Sequence, residues 1–171
     1  ATDVNFARTL PKVEPWDEYN PNLYTIIIRL KNKNMETEEM MAAKVGFRNI
    51  DYSKGILVIN GNKVKIRGVV YSDYTAMVGG FSEKNMRAEL QMMKDNNINA
   101  VRIVYFPVHP IFYDLCDEYG IYVFNEANIQ PYHFDRTLST NKDYSSAFIG
   151  RVRNMYERDK NHPSIVAWSL G

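Results

Sequence analysis

Cysteine is nearly missing from this sequence. Cys116 stands alone, so neither an intrachain disulfide framework nor a cysteine-based zinc site can be assembled. Long apolar runs are missing too. Runs such as Tyr24 to Ile28 with Thr25 inside it fall far short of the roughly 20 residues a membrane span needs, and no membrane partner is expected. Ala1 to Leu10 shows no basic region followed by an apolar one, so no secretion signal is visible, although a mature chain would read the same way. An excess of either charge is absent: 21 basic against 20 acidic side chains leave a net +1, and no nucleic-acid partner is expected. The three histidines, His109, His133 and His162, have no i, i+4 pair among them, so no metal cluster is indicated. Gly79-Gly80 is followed by no Lys-Ser or Lys-Thr, and no Gly-x-Gly-x-x-Gly occurs, leaving nucleotide binding unsupported.

What is present is enough apolar material to fold. The chain has 171 residues, 45% of them hydrophobic, which excludes disorder and suits a domain of about 100 to 200 residues with a real core. Pro11, Pro15 and Pro21 with Trp16 and Tyr19 read as an irregular, aromatic-anchored connection. Leu23 to Leu30 and Met40 to Arg48 read as a hairpin closed by the polar turn Lys31 to Asn34, with Lys31 to Glu39 a solvated tip. Asn60-Gly61 between Ile56–Ile59 and Val64–Val70 predicts a tight β-turn, because both residues tolerate positive φ.

From Val64 onward strands alternate with helical periods. Ser82 is placed to cap a helix carrying Met86, Leu90 and Met93 on one face, ending near Asn96-Asn97. A second helix starts at His109-Pro110 and stops at Gly120, and a third carries Phe148, Val152, Met155 and Tyr156. Strands are expected to start near Val64, Ile98, Ile121 and Ser164, which argues for parallel β/α units. A full eight-stranded barrel takes on the order of 250 residues, and this region supplies about half of one; a doubly wound sheet would give the same period.

Ligands of such architectures meet the C-terminal ends of strands. Those ends read Val70 to Tyr74, Arg102 to Phe106, Asn125 to Asn128 and Trp168 to Gly171. They are rich in aromatic, amide and acidic groups, which suits carbohydrate: aromatic faces cover the C–H surface of a sugar while carboxylates and amides pair with its hydroxyls. Glu126, closing the third strand within an apolar run, is a candidate for acid/base or positioning work, or an acid neutralised by Arg102; the two are compatible if the pair frames a site. His109 and His162, each before a proline, read as loop-anchoring imidazoles. His133, beside Tyr132, is the histidine placed to face a site.

Several blocks occur in order: Val45-Gly46-Phe47-Arg48, Ile66-Arg67-Gly68-Val69, Met93 to Arg102, Leu115 to Gly120, Asn125 to Ile129 and Arg158 to Gly171. Together they resemble glycoside hydrolase family 2, most of all its beta-galactosidase branch, from about Asn22 to the end. The resemblance implies that residues 1–50 are closing strands of an immunoglobulin-like β-sandwich. It makes residues 51–171 the first half of a catalytic (β/α)8 TIM barrel. It also implies hydrolysis of terminal β-linked sugars with retention, by two glutamates roughly 5 to 5.5 Å apart.

In the family, Trp-Ser-Leu-Gly runs on into Asn-Glu, whose Glu is the acid/base, and the nucleophile comes several strands later. The 171 residues stop at Gly171, so they are expected to be a fragment that is inactive alone and whose partners are a carbohydrate and either a second copy or the other half of the barrel. Arg102, which supports the nucleophile in the family, and Glu126 carry over as catalytic-site residues, and Asn128 as a substrate-binding one. Asp73, Tyr105 and Tyr132 fall at substrate-facing positions without matching in type, Tyr105 standing where the family has an imidazole. Asn125 replaces the family's Asp, and Gln130-Pro131-Tyr132 replaces the Glu-x-His that supplies magnesium ligands. No metal and no other cofactor is therefore expected. The alternative is a non-catalytic glycan-binding or scaffolding relative. Compartment is open, bacterial cytoplasm and periplasm both being compatible with a soluble chain.

Overall fold

A computed structural model of the chain describes residues 4–53, 55–72, 80–130 and 140–171. The hairpin is present as β1 (Tyr24–Lys31) and β2 (Thr37–Val45), antiparallel, with Tyr24 opposite Val45. Its second strand begins at Thr37, three residues before the expected start, so Glu38 and Glu39 lie in the ladder rather than in the tip. A strand exposed along nearly all its length tolerates such charges because neither face is buried.

A small antiparallel sheet follows, made of β3 (Ile50–Asp51), β4 (Val58–Ile59) and β5 (Asn62–Lys63). Asn60 (φ 50°) and Gly61 (φ 82°) form the turn between β4 and β5, both in the left-handed region that the Asn-Gly pair predicts. The stretch from Val64 to Arg67, expected as strand, is not one. Asn99 intercepts it: its side chain accepts from the Arg67 N–H at 2.7 Å and donates to the Lys65 carbonyl at 3.0 Å, replacing ladder bonds. The strand β6 is accordingly short, Gly68–Tyr71.

The remainder alternates: α1 (Glu83–Asp95), β7 (Ala100–Ile103), α2 (Ile111–Tyr119), β8 (Tyr122–Glu126), α3 (Ser145–Asp159) and β9 (Ile165–Ser169). The strands form one parallel sheet in the order β6-β7-β8-β9. Ser82 caps α1, its side chain accepting from the Asn85 N–H, and Met86, Leu90 and Met93 are all buried. Gly120 (φ 68°) ends α2, and a Cβ there would also approach the Glu18 carbonyl to 2.8 Å. Conformation and space therefore both demand glycine.

The face of the sheet toward α1 and α2 carries the main core, in which Val101, Ile103 and Val123 meet Leu90, Phe112 and Leu115. The opposite face has a smaller core at its lower end, where Ala100, Tyr122 and Val166 meet Ile59 and Trp16. Trp16 is fully buried and its Nε1 donates to the Asp117 carbonyl at 2.8 Å, so it anchors the proline-rich segment, whereas Tyr19 is 75% exposed and does not. Above that cluster the face is open, and Val70 is 63% exposed. The apolar stripe of α3 is only partly covered: Phe148, Val152 and Met155 are half-buried and Tyr156 is exposed. None of the described helices is long and apolar enough to cross a membrane.

Candidate active site

Neighbouring residues on a strand point to opposite faces, and the end of β8 uses this to divide two chemistries. Glu126 points to the open face. Its Oε2 accepts from Arg102 Nε at 2.9 Å, from Arg102 Nη2 at 2.5 Å and from Ser169 Oγ at 2.8 Å. One buried carboxylate oxygen thus ties β7, β8 and β9 together at their C-terminal ends. The Glu126 side chain is 1% exposed and that of Arg102 54%, so the acid is sequestered and the guanidinium stays on the surface of the open face. Charge-assisted bonds of this kind hold a buried acid in place, and the pairing with Arg102 is the one expected for an acid neutralised from the adjacent strand end.

Ser169 reaches Glu126 because β9 is bulged. Val123 pairs with Ile165, but Phe124 pairs with Ala167, so Val166 is skipped. Were Val166 paired regularly with Phe124, the register would put Trp168 rather than Ser169 beside Glu126. Trp168 instead packs edge-on against Tyr156 of α3, ring centroids 5.2 Å apart. The aromatic expected at this strand end for a sugar face is therefore turned to the helices.

Asn125 points the other way, into a buried network. Tyr113 OH donates to its Oδ1 at 2.9 Å and its Nδ2 donates to Asp159 Oδ2 at 2.8 Å. Arg158 closes the network with Nε to Asp159 Oδ1 at 2.5 Å and Nη2 to Oδ2 at 2.8 Å. Burial, and then the negative charge of Asp159, push the Tyr113 hydroxyl's pKa up, which keeps it a donor. An aspartate at position 125 would set two carboxylates at hydrogen-bond distance, and one would have to hold a proton. The asparagine removes that need. This network has no sequence signal beyond two adjacent polar residues inside an apolar strand.

Asn128 is half-buried, and its carbonyl accepts from Arg151 Nη1 at 2.6 Å. It lines, with Glu126, Arg151 and Asn154, a cavity of about 210 Å³ between the end of β8 and α3. Tyr105 lies two residues past β7 with φ 71° and is 39% exposed. A left-handed backbone is uncommon for a bulky residue and clusters at functional loops. Its hydroxyl has no hydrogen-bond partner among the described residues. Asp73, Tyr132 and His133 lie outside the described residues. Of the six site residues expected from sequence, the structure joins Arg102 to Glu126 and puts Asn128 at the adjoining cavity.

The profile described as "Glycosyl hydrolases family 2, TIM barrel domain" matches residues 50–171, and "Glycosyl hydrolases family 2" matches residues 2–48. The chain belongs to glycosyl hydrolase family 2. A beta-galactosidase of Alteromonas mediterranea is 41% identical over 174 residues, covering 99% of this chain and 17% of that protein. One from Priestia megaterium is 37% identical, covering 91% and 16%. Among solved structures, a β-glucuronidase from Ruminococcus gnavus in complex with C6-substituted uronic isofagomine has a TM-score of 0.82 at 26% identity, over 92% of this chain and 27% of that one. A β-galacturonidase from Eisenbergiella tayi bound to galacturonate has a TM-score of 0.82 at 28% identity, over 94% and 28%. This chain thus spans about a sixth of the length of the curated relatives it matches. The four-stranded parallel sheet is the first part of the family's TIM barrel, preceded by strands of its immunoglobulin-like domain.

Proposed function

We propose that the segment from about residue 51 is the substrate-side half of the catalytic barrel in a retaining, beta-galactosidase-like glycosidase, and that residues before it close the immunoglobulin-like domain. The observation that carries this is the clamp at the strand ends: Arg102, half exposed on the open face, is held by the buried Glu126, which Ser169 also secures. A guanidinium held this way can brace a neighbouring carboxylate or a sugar hydroxyl without reorganising. Asn128 and Tyr105 stand at the same ends of the strands as substrate-facing groups, and Asp73 and Tyr132 are assigned there by sequence position.

The chemistry of retention needs an acid/base and a nucleophile on either side of the glycosidic bond, and in this reading residues 1–171 contribute neither. They position; the other half of the barrel reacts. The exposed Val70 on the open face and the half-covered stripe of α3 on the helix side support a further set of barrel strands and helices, or a second copy, as the partner. The sequence relatives, at 37 to 41% identity, favour a β-galactoside over a uronide, and their bacterial sources favour bacterial cytoplasm or periplasm.

A panel of nitrophenyl β-galactoside, β-glucoside and β-glucuronide, offered to the 171-residue chain and to the full-length protein that carries it, tests the reading. The expected result is no hydrolysis by the shorter chain, hydrolysis of the galactoside by the longer one, and loss of roughly 100-fold or more in kcat/KM on Arg102→Ala. Glycan binding without turnover by the full-length protein would instead establish the non-catalytic alternative.

A further inference from the structure

A second group of titratable side chains lies away from the strand ends, where α2 meets the loop that enters β9. Asp114, Asp117 and His162 each bring a ligand atom within 4.8 Å of the other two. Sequence spacing hides the group, because the two aspartates sit one helical turn apart and the histidine comes 45 residues after Asp117.

Asp117 is buried and fully bonded: Oδ2 meets His162 Nδ1 at 2.6 Å and Oδ1 accepts from the Ser164 N–H at 2.9 Å. A carboxylate on one ring nitrogen fixes the imidazole and turns the lone pair of the other outward, which is how metal-ligating histidines are usually oriented. Nε2 has no partner among the described residues, and the ring lines a cleft of about 480 Å³ together with Asp114. The Asp114 carboxylate has neither a hydrogen bond nor an ion pair among the described residues. Partial burial, the largest cause, holds its pKa above the ordinary value.

The cations nearby are committed elsewhere. Lys44 and Arg87 both bind Glu118, at 2.6 and 3.0 Å, and Arg48 donates to the carbonyls of Pro163 and Ile165. None of the three forms an ion pair with Asp114 or Asp117 among the described residues, although Lys44 and Arg87 line the same cleft.

We propose that this group is a binding site for a divalent cation of the zinc type, ligated by Asp114 and His162, with Asp117 as the orienting carboxylate and water completing the shell. A nitrogen donor beside carboxylate oxygens favours zinc over magnesium, which prefers oxygen alone. The site does not depend on the glycosidase reading, and its ion would bridge α2 to the loop before β9 on the side of the sheet away from Arg102.

Zinc chloride titrated by calorimetry into the chelator-stripped 171-residue chain at neutral pH tests it. One zinc per chain is expected, with affinity at least tenfold above that for magnesium, and zinc should raise the melting temperature. Asp114→Asn, at an exposed position where folding is not at stake, should weaken zinc at least tenfold and abolish the shift. No saturable uptake by the parent chain, equal affinity for magnesium, or unchanged affinity in Asp114→Asn would each overturn the assignment.

Discussion

The two faces of the four-stranded sheet are built from the same strands and have opposite characters. Toward the helices, Val101, Ile103 and Val123 disappear into a continuous core, and even the polar Asn125 has every visible bond satisfied by Tyr113 and Asp159. On the other face Ala100, Tyr122 and Val166 are sealed only at the lower end by Ile59 and Trp16, and above them stand the exposed Val70 and the half-exposed Arg102. One face carries stability, and the other is, in the function proposed above, left to chemistry. Glu126 is where they meet: a buried acid whose bonds reach across three strands and whose partner faces solvent.

That contrast can be broken by mutation. Phe112→Ala, on the covered face, should cost about 3 to 5 kcal/mol in denaturant unfolding, whereas Val70→Ala should stay within about 0.5 kcal/mol. Equal losses would abolish the distinction. Asn125→Asp should come next, at about 1 to 3 kcal/mol near neutral pH. The new acid and Asp159 would have to share a proton, so the raised pKa of one of them makes the penalty shrink as pH falls toward 5. A penalty independent of pH would mean that the amide contributes shape rather than a proton-free bond.

The smallest effect sharpens the lower edge of the covered face. Burial opposes charge on His162, but its bond to Asp117 and the charges of Asp117, Asp114 and Asp159 outweigh it, and its pKa lies above the ordinary 6.5. A raised folded pKa gives stability that is fully present below 6.5 and is lost as pH climbs through the folded value. In metal-free buffer, the melting temperature should therefore decline modestly from pH 6 to pH 8.5. His162→Gln should flatten the decline, and an unchanged slope would place the titration on another group.

Much of this fold is legible in the order of residues, for reasons that differ from element to element. Ser82 with Met86, Leu90 and Met93, Pro110 with Gly120, and Asn60-Gly61 each encode a local geometry that no distant contact overrules. The strand at Val64 was not legible, because the bonds that prevent it come from Asn99, more than thirty residues away. At the candidate site, Arg102 and Glu126 were visible as strand-end residues of opposite charge. Ser169 and the outward turn of Trp168 were not, since alternation predicts the reverse and the bulge at Val166 is a property of pairing, not of composition. The Asp114, Asp117 and His162 group needed the third dimension for the same reason.

That bulge makes strand β9 a one-residue phase shifter. Inserting one residue between Val166 and Trp168 with the bulge kept would exchange a hydroxyl for an indole at the carboxylate of Glu126, whereas deleting Val166 would straighten the strand and leave Ser169 in place. Evolution could thus trade a polar brace for an aromatic platform at this rim through a single codon gained, without redesigning the scaffold beneath it.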